Sequence, residues 1–431
     1  MNKNEYPWSL KNYHNPVLKK DGKPFKWGTM IPLVGGAPMA CNLATGIKPQ
    51  FICTLNGFQE NEKHLVNYWP DVPYINMDDY PDCLNDYAED IFEDTDFVIA
   101  IPPCAGLSQL NTGKKGSEMG RGSDAVQNRW MYITTEHVLS KIKPKVLWGE
   151  NAPGLFTGLG EGVVKNLDEI AIKYGYSFSL IKTNTLLHGI PQRRERTYYF
   201  FWKDEFAPIM NYHVVPDDER PTLLEYLDQL PKGLEHENEY WNPKGVFENH
   251  PSLNWVLNDL EKCTYEEFIE RHAPTSLYGY YCQNNLLDKV LEWLAEHHPE
   301  APENKWLNHV IKKGEMDKGF WDGSAHFFND SFNAVVTRNM GCGVHPREQR
   351  YCNVRELMWL MCLPWDFELV KDEKERTPIN HLAQNVPIIT TRDWCFEVMK
   401  YLNGDLRKSG QRFFRQNNNN PEVFQIAKKL F

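Results

Sequence analysis

Five short apolar runs, each closed by turn-forming or polar residues, constrain most strongly what the first 200 residues can fold into. They are residues 30–34, 51–55, 97–101, 145–148 and 198–202. Strands that are apolar throughout are buried on both faces, which is typical of a parallel sheet covered by helices. Longer segments with helical periodicity separate these runs, for example 136–142 and 163–174. The pattern predicts an α/β fold with a doubly wound, mostly parallel sheet.

The chain is long enough for more than this one sheet. Its 431 residues can bury a sizeable core and suggest two or three domains. After about residue 203, prolines and aromatic residues become frequent and the apolar periodicity becomes irregular. We therefore expect an α/β domain over 1–203 and a second, smaller domain over 204–376. We expect 377–431 to be a helical segment that packs back on the first strands, with one helical run over about 377–402 and a frayed polar tail at 417–420.

Composition narrows the class of protein further. No run of about 18 apolar residues occurs, and the N-terminal residues lack the apolar stretch of a signal peptide. The 10 cysteines form no Cys-x-x-Cys pair, which argues against structural zinc and against a disulfide framework. The sequence therefore predicts a cytoplasmic protein with no membrane span and no metal.

The charge balance bears on possible partners. A formal net charge of -11 weighs against nucleic-acid binding, but binding depends on where the positive charges lie. Basic residues cluster locally at 114–121, 193–196 and 407–415. The last run suits a solvated protein face as well as it suits a nucleic acid. The net charge thus weakens the case for a nucleic-acid partner without removing it.

Three reactive clusters lie at the ends of predicted strands, at the sheet edge where open α/β folds bind their ligands. They are Pro102-Pro103-Cys104, Glu150-Asn151 and the run 192–196. Singly, each has an ordinary explanation as a buried thiol, a helix start or a solvated charge run. Jointly, they supply a nucleophile, a carboxyl acid and fixed positive charge, which suits attack on a pyrimidine. A thiolate that adds to carbon 6 makes carbon 5 nucleophilic.

The order and context of these clusters resemble the DNA (cytosine-5)-methyltransferase family. The motifs that carry the resemblance are residues 102–104 with Ser108, 143–155, 188–196 and 350–364. In that order, they are similar to the family's nucleophile loop, its Glu-Asn strand end, its Gln-x-Arg-x-Arg motif and the segment after its recognition domain. The resemblance covers residues 30–202 and 325–402 and implies a Rossmann-like methyltransferase fold.

The resemblance implies a role for each matching residue. Cys104 is expected to be the nucleophile, and Glu150 is expected to share a proton with nitrogen 3 of the ring. Arg194 and Arg196 are expected to position the ring oxygen and to lower the pKa of the thiol, since nearby positive charge favours a thiolate. Asn151 is expected to support the loop that carries Cys104. Because this chemistry is impossible inside a stacked duplex, the target base must be flipped out.

The resemblance also implies S-adenosylmethionine as the methyl donor, but the cofactor side departs from the family pattern. Val34 replaces an aromatic residue, Pro38 replaces a glycine, and Ala383-Gln384 stands where the family has Gly-Asn. Proline has no N–H to donate, so at least one cofactor contact must differ. The candidate cofactor-binding residues are Leu33, Val34, Gly35, Gly36, Asn56, Asp78, Asp79, Pro102, Gln384 and Val386.

Three hypotheses account for these departures. A divergent methyltransferase uses S-adenosylmethionine through altered contacts. A relative with a different or modified donor activates the same cytosine and adds a non-methyl group to carbon 5. A catalytically silent relative only binds DNA, although the intact Cys104, Glu150 and Arg194 argue against it. A dehydrogenase is contradicted, because the sequence has no Gly-x-Gly-x-x-Gly motif.

Double-stranded DNA is the expected partner, and 204–376 is expected to be a target-recognition domain that reads base edges in the major groove. Because a branch of this fold family modifies transfer RNA, a transfer-RNA cytosine methyltransferase is the alternative. The candidate DNA-contacting residues are Ser108, Lys114, Lys115, Arg121 and Gln192. We expect a monomer, since one active site on one face of the duplex is complete.

Overall fold

The computed structural model of the protein describes residues 16–55, 57–76, 89–108, 120–230, 296, 320–321, 326–327, 352–364, 366–370 and 376–419. Among these residues, no helix combines the length and the apolar character that a membrane crossing requires. Most of the predicted second domain, 204–376, lies outside the described residues. The domain boundaries therefore stay predictions.

The described residues form ten strands in two sheets. The main sheet contains β1 (Trp27–Met30), β2 (Ile52–Thr54), β3 (Tyr74–Asn76), β4 (Phe97–Ala100), β5 (Val146–Asn151), β6 (Ser177–Asn184), β7 (Glu195–Trp202) and β10 (Phe413–Asn417). The short strands β8 (Phe320–Trp321) and β9 (His326–Phe327) pair antiparallel with each other. Four of the five apolar runs overlap β2, β4, β5 and β7, whereas the first run, 30–34, forms mainly the turn that follows β1.

Eight α-helices accompany these strands in the part of the chain that the structure describes. They are α1 (Gly36–Thr45), α2 (Gln59–Tyr68), α3 (Arg129–His137), α4 (Glu161–Tyr174), α5 (Leu223–Leu227), α6 (Val354–Leu360), α7 (Arg376–Gln384) and α8 (Ile388–Leu402). The predicted helix over 136–142 is the end of α3 and the π-helical turn that continues it. Both α5 and α6 begin with a capping box, in which the side chains of the N-cap residue and of a glutamate satisfy the first backbone N–H groups.

The main sheet has the strand order β10-β6-β7-β5-β4-β1-β2-β3. Only β7 runs antiparallel to its neighbours in this sheet, so the prediction of a doubly wound, mostly parallel α/β fold is confirmed. The chain first builds outward from β1 through β2 to β3 and then returns to place β4 on the other side of β1. The crevice between the carboxyl ends of β1 and β4 is thus a topological switch point, where such sheets bind ligands.

The C-terminal segment contains a strand that the sequence analysis missed. We expected a helical segment whose helical run ends near residue 402 and whose polar tail is frayed, but Phe413 pairs in parallel with Phe178 and starts β10. The backbone N–H of Asn418 donates to the carbonyl oxygen of Lys182 at 2.9 Å, and the side chain of Asn418 is buried. The segment has no long apolar run, so its strand conformation depends on the exposed edge of β6.

The helical run predicted to end near residue 402 is interrupted. Residues 385–387 separate α7 from α8, because Pro387 disfavours helical conformation at the residue before it. Helix α8 packs against α1, and the ring of Trp394 lies 6.1 Å from that of Tyr198 and 6.4 Å from that of Phe200 in β7. The C-terminal helix therefore holds the turn at 385–387 next to the first helix and to β7.

Stacked aromatic rings lock the central strands together. Trp27 of β1 stacks on Phe97 of β4 with ring centroids 5.9 Å apart, and Trp148 of β5 stacks on Phe200 of β7 at 5.7 Å. Each ring is fully buried, so it contributes on the order of 2–3 kcal/mol of burial free energy. This packing keeps the four strands that carry the candidate site in register.

A buried histidine pair joins α2 to α7. The Nε2 atom of His64 lies 3.1 Å from Nδ1 of His381, and Nδ1 of His64 accepts a hydrogen bond from the backbone N–H of Val370 at 2.9 Å. Burial, together with the charge of neighbouring groups, lowers the pKa of His64 from 6.5 to about 3. The adjacent Glu62 is also buried, and burial raises the pKa of its carboxyl group to about 7.

We expect the buried His64 to lower the free energy of unfolding in acid. The variant His64→Asn should lose less of this free energy as the pH falls. Between pH 6.5 and about 3, the unfolded chain holds a proton at His64 and the folded protein does not, so the free energy of unfolding falls as the pH falls. The slope of the free energy of unfolding against pH should be smaller in the variant by up to about 1.4 kcal/mol per pH unit. Asparagine keeps an oxygen acceptor for the N–H of Val370. Urea unfolding at a series of pH values measures both slopes.

The control for this experiment is internal. Glu62 contributes with the opposite sign, because its raised pKa means that the folded protein binds the extra proton between pH 4.5 and about 7. Glu62 is present in both proteins, so the difference between the two curves reports on His64. Parallel curves for the wild type and the variant would contradict the assignment.

Candidate active site

Cys104 lies where β4 breaks off. The strand ends at Ala100, two prolines follow, and Cys104 starts the 3₁₀ turn Ala105–Leu107 with its side chain half-buried. Proline cannot continue the ladder, so the chain leaves the sheet here and presents the thiol at the switch-point crevice. This is the position that the sequence analysis predicted for the nucleophile loop.

The pKa of the Cys104 thiol is raised above its ordinary value. Burial is the main cause and the negative charge of Glu150 adds to it, whereas Arg196 and Arg194 act in the opposite direction. We predicted from the sequence that the arginines lower the pKa of the thiol. The arginines therefore act on the thiol in the predicted direction, but burial and the carboxylate outweigh them, so the net pKa of Cys104 is raised.

Glu150 forms a buried ion pair with Arg196. Glu150 is the penultimate residue of β5 and only 3% exposed, and its Oε1 atom lies 2.5 Å from Nε of Arg196 on the adjacent strand β7. Burial raises the pKa of the Glu150 carboxyl group, and the two arginines offset part of that rise. Glu150 therefore takes up a proton more readily than an exposed glutamate does.

Arg194 connects the start of β7 to the turn between α7 and α8. It is buried, and its Nη2 atom donates to the carbonyl oxygens of Ala383 at 2.9 Å and of Asn385 at 2.8 Å. Burial and the positive charge of Arg196 lower the pKa of its guanidinium group to about 9. The structure thus brings the predicted thiol, carboxyl group and two guanidinium groups into one electrostatically coupled site.

Asn151 contacts its own turn and helix α3. Its Oδ1 atom accepts from the backbone N–H of Ala152 at 2.9 Å, and its Nδ2 atom lies 3.8 Å from the sulfur of Met131. The segment Pro153–Phe156 that follows packs against the turn Ala105–Leu107 of the nucleophile loop. Asn151 therefore acts on that loop by shaping the chain that packs on it, and no direct side-chain bond to the loop is among its described contacts.

The turn between β1 and α1 carries unusual backbone geometry. Ile31 has φ of 51° and Leu33 has φ of 53°, in the left-handed region that branched and bulky residues rarely adopt. The backbone N–H of Ile101, just after β4, donates to the carbonyl oxygen of Met30 at 3.1 Å and so ties this turn to the Cys104 loop. Strain of this kind concentrates at functional sites, which agrees with the predicted place of a cofactor.

Asn385, which the sequence analysis did not single out, contacts the start of α1 at the predicted cofactor position. Its Oδ1 atom accepts from the backbone N–H of Gly36 at the start of α1, at 2.8 Å. A Cβ atom on Gly36 would lie only 2.1 Å from the carbonyl oxygen of Val386, so a glycine is required for this approach. The Nδ2 atom of Asn385 is buried and has no hydrogen-bond partner among the described residues. The sequence signal that could have identified this residue is an asparagine directly before Val386-Pro387, where a proline interrupts the helical run.

The other predicted cofactor residues are only partly described. Leu33, Val34, Gly35 and Pro102 are buried around the switch point, and the exposed Gln384 accepts a hydrogen bond from Nδ2 of Asn61 at 2.9 Å. The predicted cofactor or DNA residues that lie outside the described part of the chain are Asn56, Asp78, Asp79, Lys114 and Lys115. No group of three or more His, Cys, Asp or Glu side chains in the described residues could hold a metal ion.

The predicted DNA-contacting residues differ in accessibility. Ser108 is half-buried and Arg121 is exposed, and the two residues flank the segment 109–119, which lies outside the described residues. Gln192, by contrast, is fully buried, and its Nε2 atom donates to the carbonyl oxygen of Leu360 at 2.7 Å. A side chain in this position has no access to a nucleic acid. The assignment of Gln192 to DNA contact is therefore corrected to a structural one that joins β7 to α6.

The basic run 407–415 is largely neutralised within the protein. Its ion pairs join Lys408 to Asp204, Arg412 to Asp168 and Arg415 to Glu161, at 2.7, 2.6 and 3.0 Å. These contacts hold β10 and its preceding loop against the rest of the domain. The run therefore suits a protein face better than it suits a DNA-binding surface.

Curated type II methyltransferases are similar to parts of this chain. M.NgoPII from Neisseria gonorrhoeae is 29% identical over 145 residues, which are 33% of this chain and 40% of that protein. M1.BsuMI from Bacillus subtilis (strain 168) is 22% identical over 297 residues, 68% of this chain and 58% of that protein. The chain thus spans less than two thirds of the length of these relatives.

Two solved structures share the fold. A putative DNA modification methyltransferase encoded within an E. coli prophage superposes with a TM-score of 0.52 and 14% sequence identity, over 88% of this chain and 99% of that one. The Entamoeba histolytica methyltransferase EhMeth superposes with a TM-score of 0.51 and 13% identity, over the same shares. At these identities the likeness concerns the fold alone.

A family model decides the classification. The model described as C-5 cytosine-specific DNA methylase matches residues 60–389, well over half of the chain. The matched range contains Cys104, Glu150, Arg194 and Arg196, and it begins after the divergent turn that precedes α1. With the motifs, the fold and the coupled site in agreement, the chain belongs to the C-5 cytosine-specific DNA methylase family.

Proposed function

We propose that the protein is an S-adenosylmethionine-dependent DNA cytosine-5 methyltransferase that acts on double-stranded DNA. The observation that carries the proposal is the buried ion pair between Glu150 and Arg196, 2.5 Å apart, coupled to Cys104 and Arg194. These groups supply a nucleophile, a proton carrier and fixed positive charge at one sheet edge. Together they suit covalent activation of a cytosine ring.

The charge on Glu150 affects the pKa of the Cys104 thiol. While Glu150 is ionised, burial and its negative charge keep the pKa of Cys104 above the ordinary value. When the carboxyl group holds a proton that it shares with ring nitrogen 3, this negative charge disappears, while Arg194 and Arg196 still favour a thiolate. The nucleophile is therefore expected to form mainly when a cytosine occupies the pocket.

The reaction follows from these groups. The Sγ atom of Cys104 forms a bond to carbon 6, and nitrogen 3 takes up the proton held by Glu150, which makes carbon 5 nucleophilic. S-adenosylmethionine, when bound, supplies an electrophilic methyl group for carbon 5. Loss of the carbon 5 proton to solvent, expulsion of the Cys104 thiolate from carbon 6 and return of the nitrogen 3 proton to Glu150 restore the aromatic ring.

Arg194 and Arg196 are proposed to hold the ring oxygen. The carbonyl groups of Ala383 and Asn385 immobilise Arg194, and its pKa of about 9 leaves it charged at neutral pH. Arg196 is half-buried and ion-paired at the same edge. Donors that are fixed before the substrate arrives need little reorganisation during the reaction, and this preorganisation is a main source of catalytic power.

The residues around the start of α1 fit the carboxylate end of S-adenosylmethionine. A helix N-terminus carries partial positive charge, and the unpartnered Nδ2 atom of Asn385 offers a donor beside it. We propose that Gly36, Asn385 and Val386 hold this end of the donor, with Leu33 and Pro102 next to them.

The substrate must reach this site outside the base stack. A cytosine in duplex DNA has its carbon 6 and nitrogen 3 covered, so we propose that the base is flipped out. Ser108 and Arg121, which flank 109–119, are proposed to contact the DNA backbone, and 204–376 is proposed to read the sequence. We further propose that one chain acts as a monomer.

The test is product analysis. The protein is incubated with duplex DNA and S-adenosylmethionine, and the DNA is digested to nucleosides and examined by mass spectrometry, with transfer RNA in a parallel reaction. The expected product is 5-methylcytosine in DNA only. A mass gain other than one methyl group would indicate a different donor, and modification of transfer RNA alone would reverse the assignment of the substrate.

A second measurement separates an inactive relative from a wrong donor. Duplex DNA that contains 5-fluorocytosine should trap the protein covalently, because the fluorine cannot leave as a proton does. If the protein is not trapped and no modified base is found, the catalytically silent hypothesis is supported and the proposal is contradicted.

A further inference from the structure

Three residues stand side by side across three strands at the carboxyl edge of the sheet. Ala100, the last residue of β4, pairs with Gly149 of β5, and Gly149 pairs with Tyr199 of β7. Because Gly149 has no side chain, the ring of Tyr199 reaches over β5 to the strand beyond it. The Tyr199 hydroxyl donates a hydrogen bond to the carbonyl oxygen of Ala100 at 2.9 Å.

The contact depends on the glycine. A Cβ atom at position 149 would lie 1.9 Å from the carbonyl oxygen of Ala100 and 2.5 Å from the hydroxyl oxygen of Tyr199. Both distances are too short for any real side chain, so either the carbonyl group or the phenol ring would have to move. A glycine inside a strand often marks such a close approach of another group.

The hydrogen bond links the chemical parts of the site. Only three residues separate Ala100 from Cys104, so the orientation of the Ala100 carbonyl group bears on where the nucleophile loop leaves the sheet. Tyr199 lies on the strand that carries Arg196, and it crosses the strand that carries Glu150. Tyr199 is buried, and burial with the nearby charge of Glu150 raises the pKa of its hydroxyl, which therefore keeps its proton.

We infer that Tyr199 is a positioning residue for the nucleophile: its hydroxyl, reaching across Gly149, holds the Ala100 carbonyl group and so fixes the start of the loop that presents Cys104. The inference rests on the proposed function, since it concerns the same reaction. Without this bond the loop has more freedom, and a small displacement of the sulfur from its line of attack lowers the rate of addition.

The experiment compares Tyr199→Phe with a matched control, Tyr176→Phe, in the full chain. Tyr176 is equally buried, and its hydroxyl also donates to a backbone carbonyl oxygen, that of Pro144, at 2.7 Å. Pro144 precedes β5, so this bond lies at the opposite end of the strand that Tyr199 crosses. Each variant loses one buried hydrogen bond of the same kind, and both should lose a similar amount of thermal stability.

The kinetic results should differ. Tyr199→Phe is expected to lower kcat for base modification, and the rate of trapping on 5-fluorocytosine DNA, about tenfold, because the thiol is held less well in line with carbon 6. The KM for DNA should stay unchanged, because Tyr199 is buried and its hydroxyl is bonded within the protein. Tyr176→Phe should leave both rates within about twofold of the wild type.

The outcomes are distinguishable. If Tyr199→Phe traps DNA at the wild-type rate, or if Tyr176→Phe slows trapping equally, the bond contributes only stability and the inference is wrong, while the proposed function stands. If the wild-type protein neither modifies nor is trapped by DNA, the proposed function fails and the inference fails with it.

Discussion

Cys104→Ser should abolish base modification and covalent trapping, with a loss of at least about a thousandfold in rate. A serine hydroxyl at this position ionises far less readily than a thiol, and the buried setting that already raises the pKa of Cys104 would disfavour an alkoxide further. The fold should be intact, because the side chain is half-buried and the change is small. Mass analysis of digested DNA and gel detection of the trapped complex measure the two losses.

The matched control is Cys395→Ser. This residue lies in α8, is fully buried and packs against Cys41 of α1. The same atom exchange there introduces a buried hydroxyl and should lower the melting temperature, yet leave trapping intact. If Cys104→Ser retained the wild-type rate, the assignment of the nucleophile would be lost, whatever the control does.

Glu150→Gln should slow base modification by about 10²–10⁴-fold, the range typical of removing a general acid. Glutamine keeps the shape of the side chain but cannot hold a proton for ring nitrogen 3. The same change removes the negative charge that raises the pKa of Cys104. We therefore expect the pKa of the thiol to fall and its alkylation by iodoacetamide at neutral pH to become faster, even though catalysis is slower.

These opposite effects distinguish a catalytic acid from a structural glutamate. The alkylation rate is read by mass spectrometry on the peptide that contains Cys104, since other cysteines could also react. Glu397→Gln is the control: Glu397 is a buried glutamate that pairs with Lys400 and accepts from the backbone N–H of Asn211. That variant should change neither the Cys104 alkylation rate nor kcat. Slower alkylation in Glu150→Gln would contradict the electrostatic coupling.

The coupling suggests why the free protein keeps its thiol protonated. A thiolate is the species that reacts with oxidants and other electrophiles, so a permanent thiolate at a half-open site would be vulnerable. Here burial and Glu150 oppose ionisation of Cys104, and the arginines favour it. In the proposed reaction, a single proton on Glu150 shifts this balance, so the substrate itself activates the nucleophile.

Much of the fold could be predicted because it rests on local patterns. A strand in a parallel sheet must be apolar throughout, and the residues just after it lie at the carboxyl edge, so the runs before Cys104 and Glu150 located both the strands and the reactive groups. The strand predicted over 30–34 was wrong for most of its length, since the apolar residues Ile31 and Val34 are buried in a turn and not in a strand. Burial explains an apolar residue without specifying its backbone conformation.

The sequence by itself determined which residue types stand at the ends of the strands, and with them the family and the chemistry that the site can perform. Tertiary structure alone decided how those ends are held: Asn385 reaches Gly36 across 349 positions, Tyr199 reaches Ala100 across 99, and β10 exists only because β6 offers an edge. It also decided the raised pKa of the thiol, which depends on burial and on charges from two other strands. Local periodicity indicates which face of a segment is buried. These contacts depend instead on which distant segment lies beside it, and the pattern within one segment does not specify its neighbour.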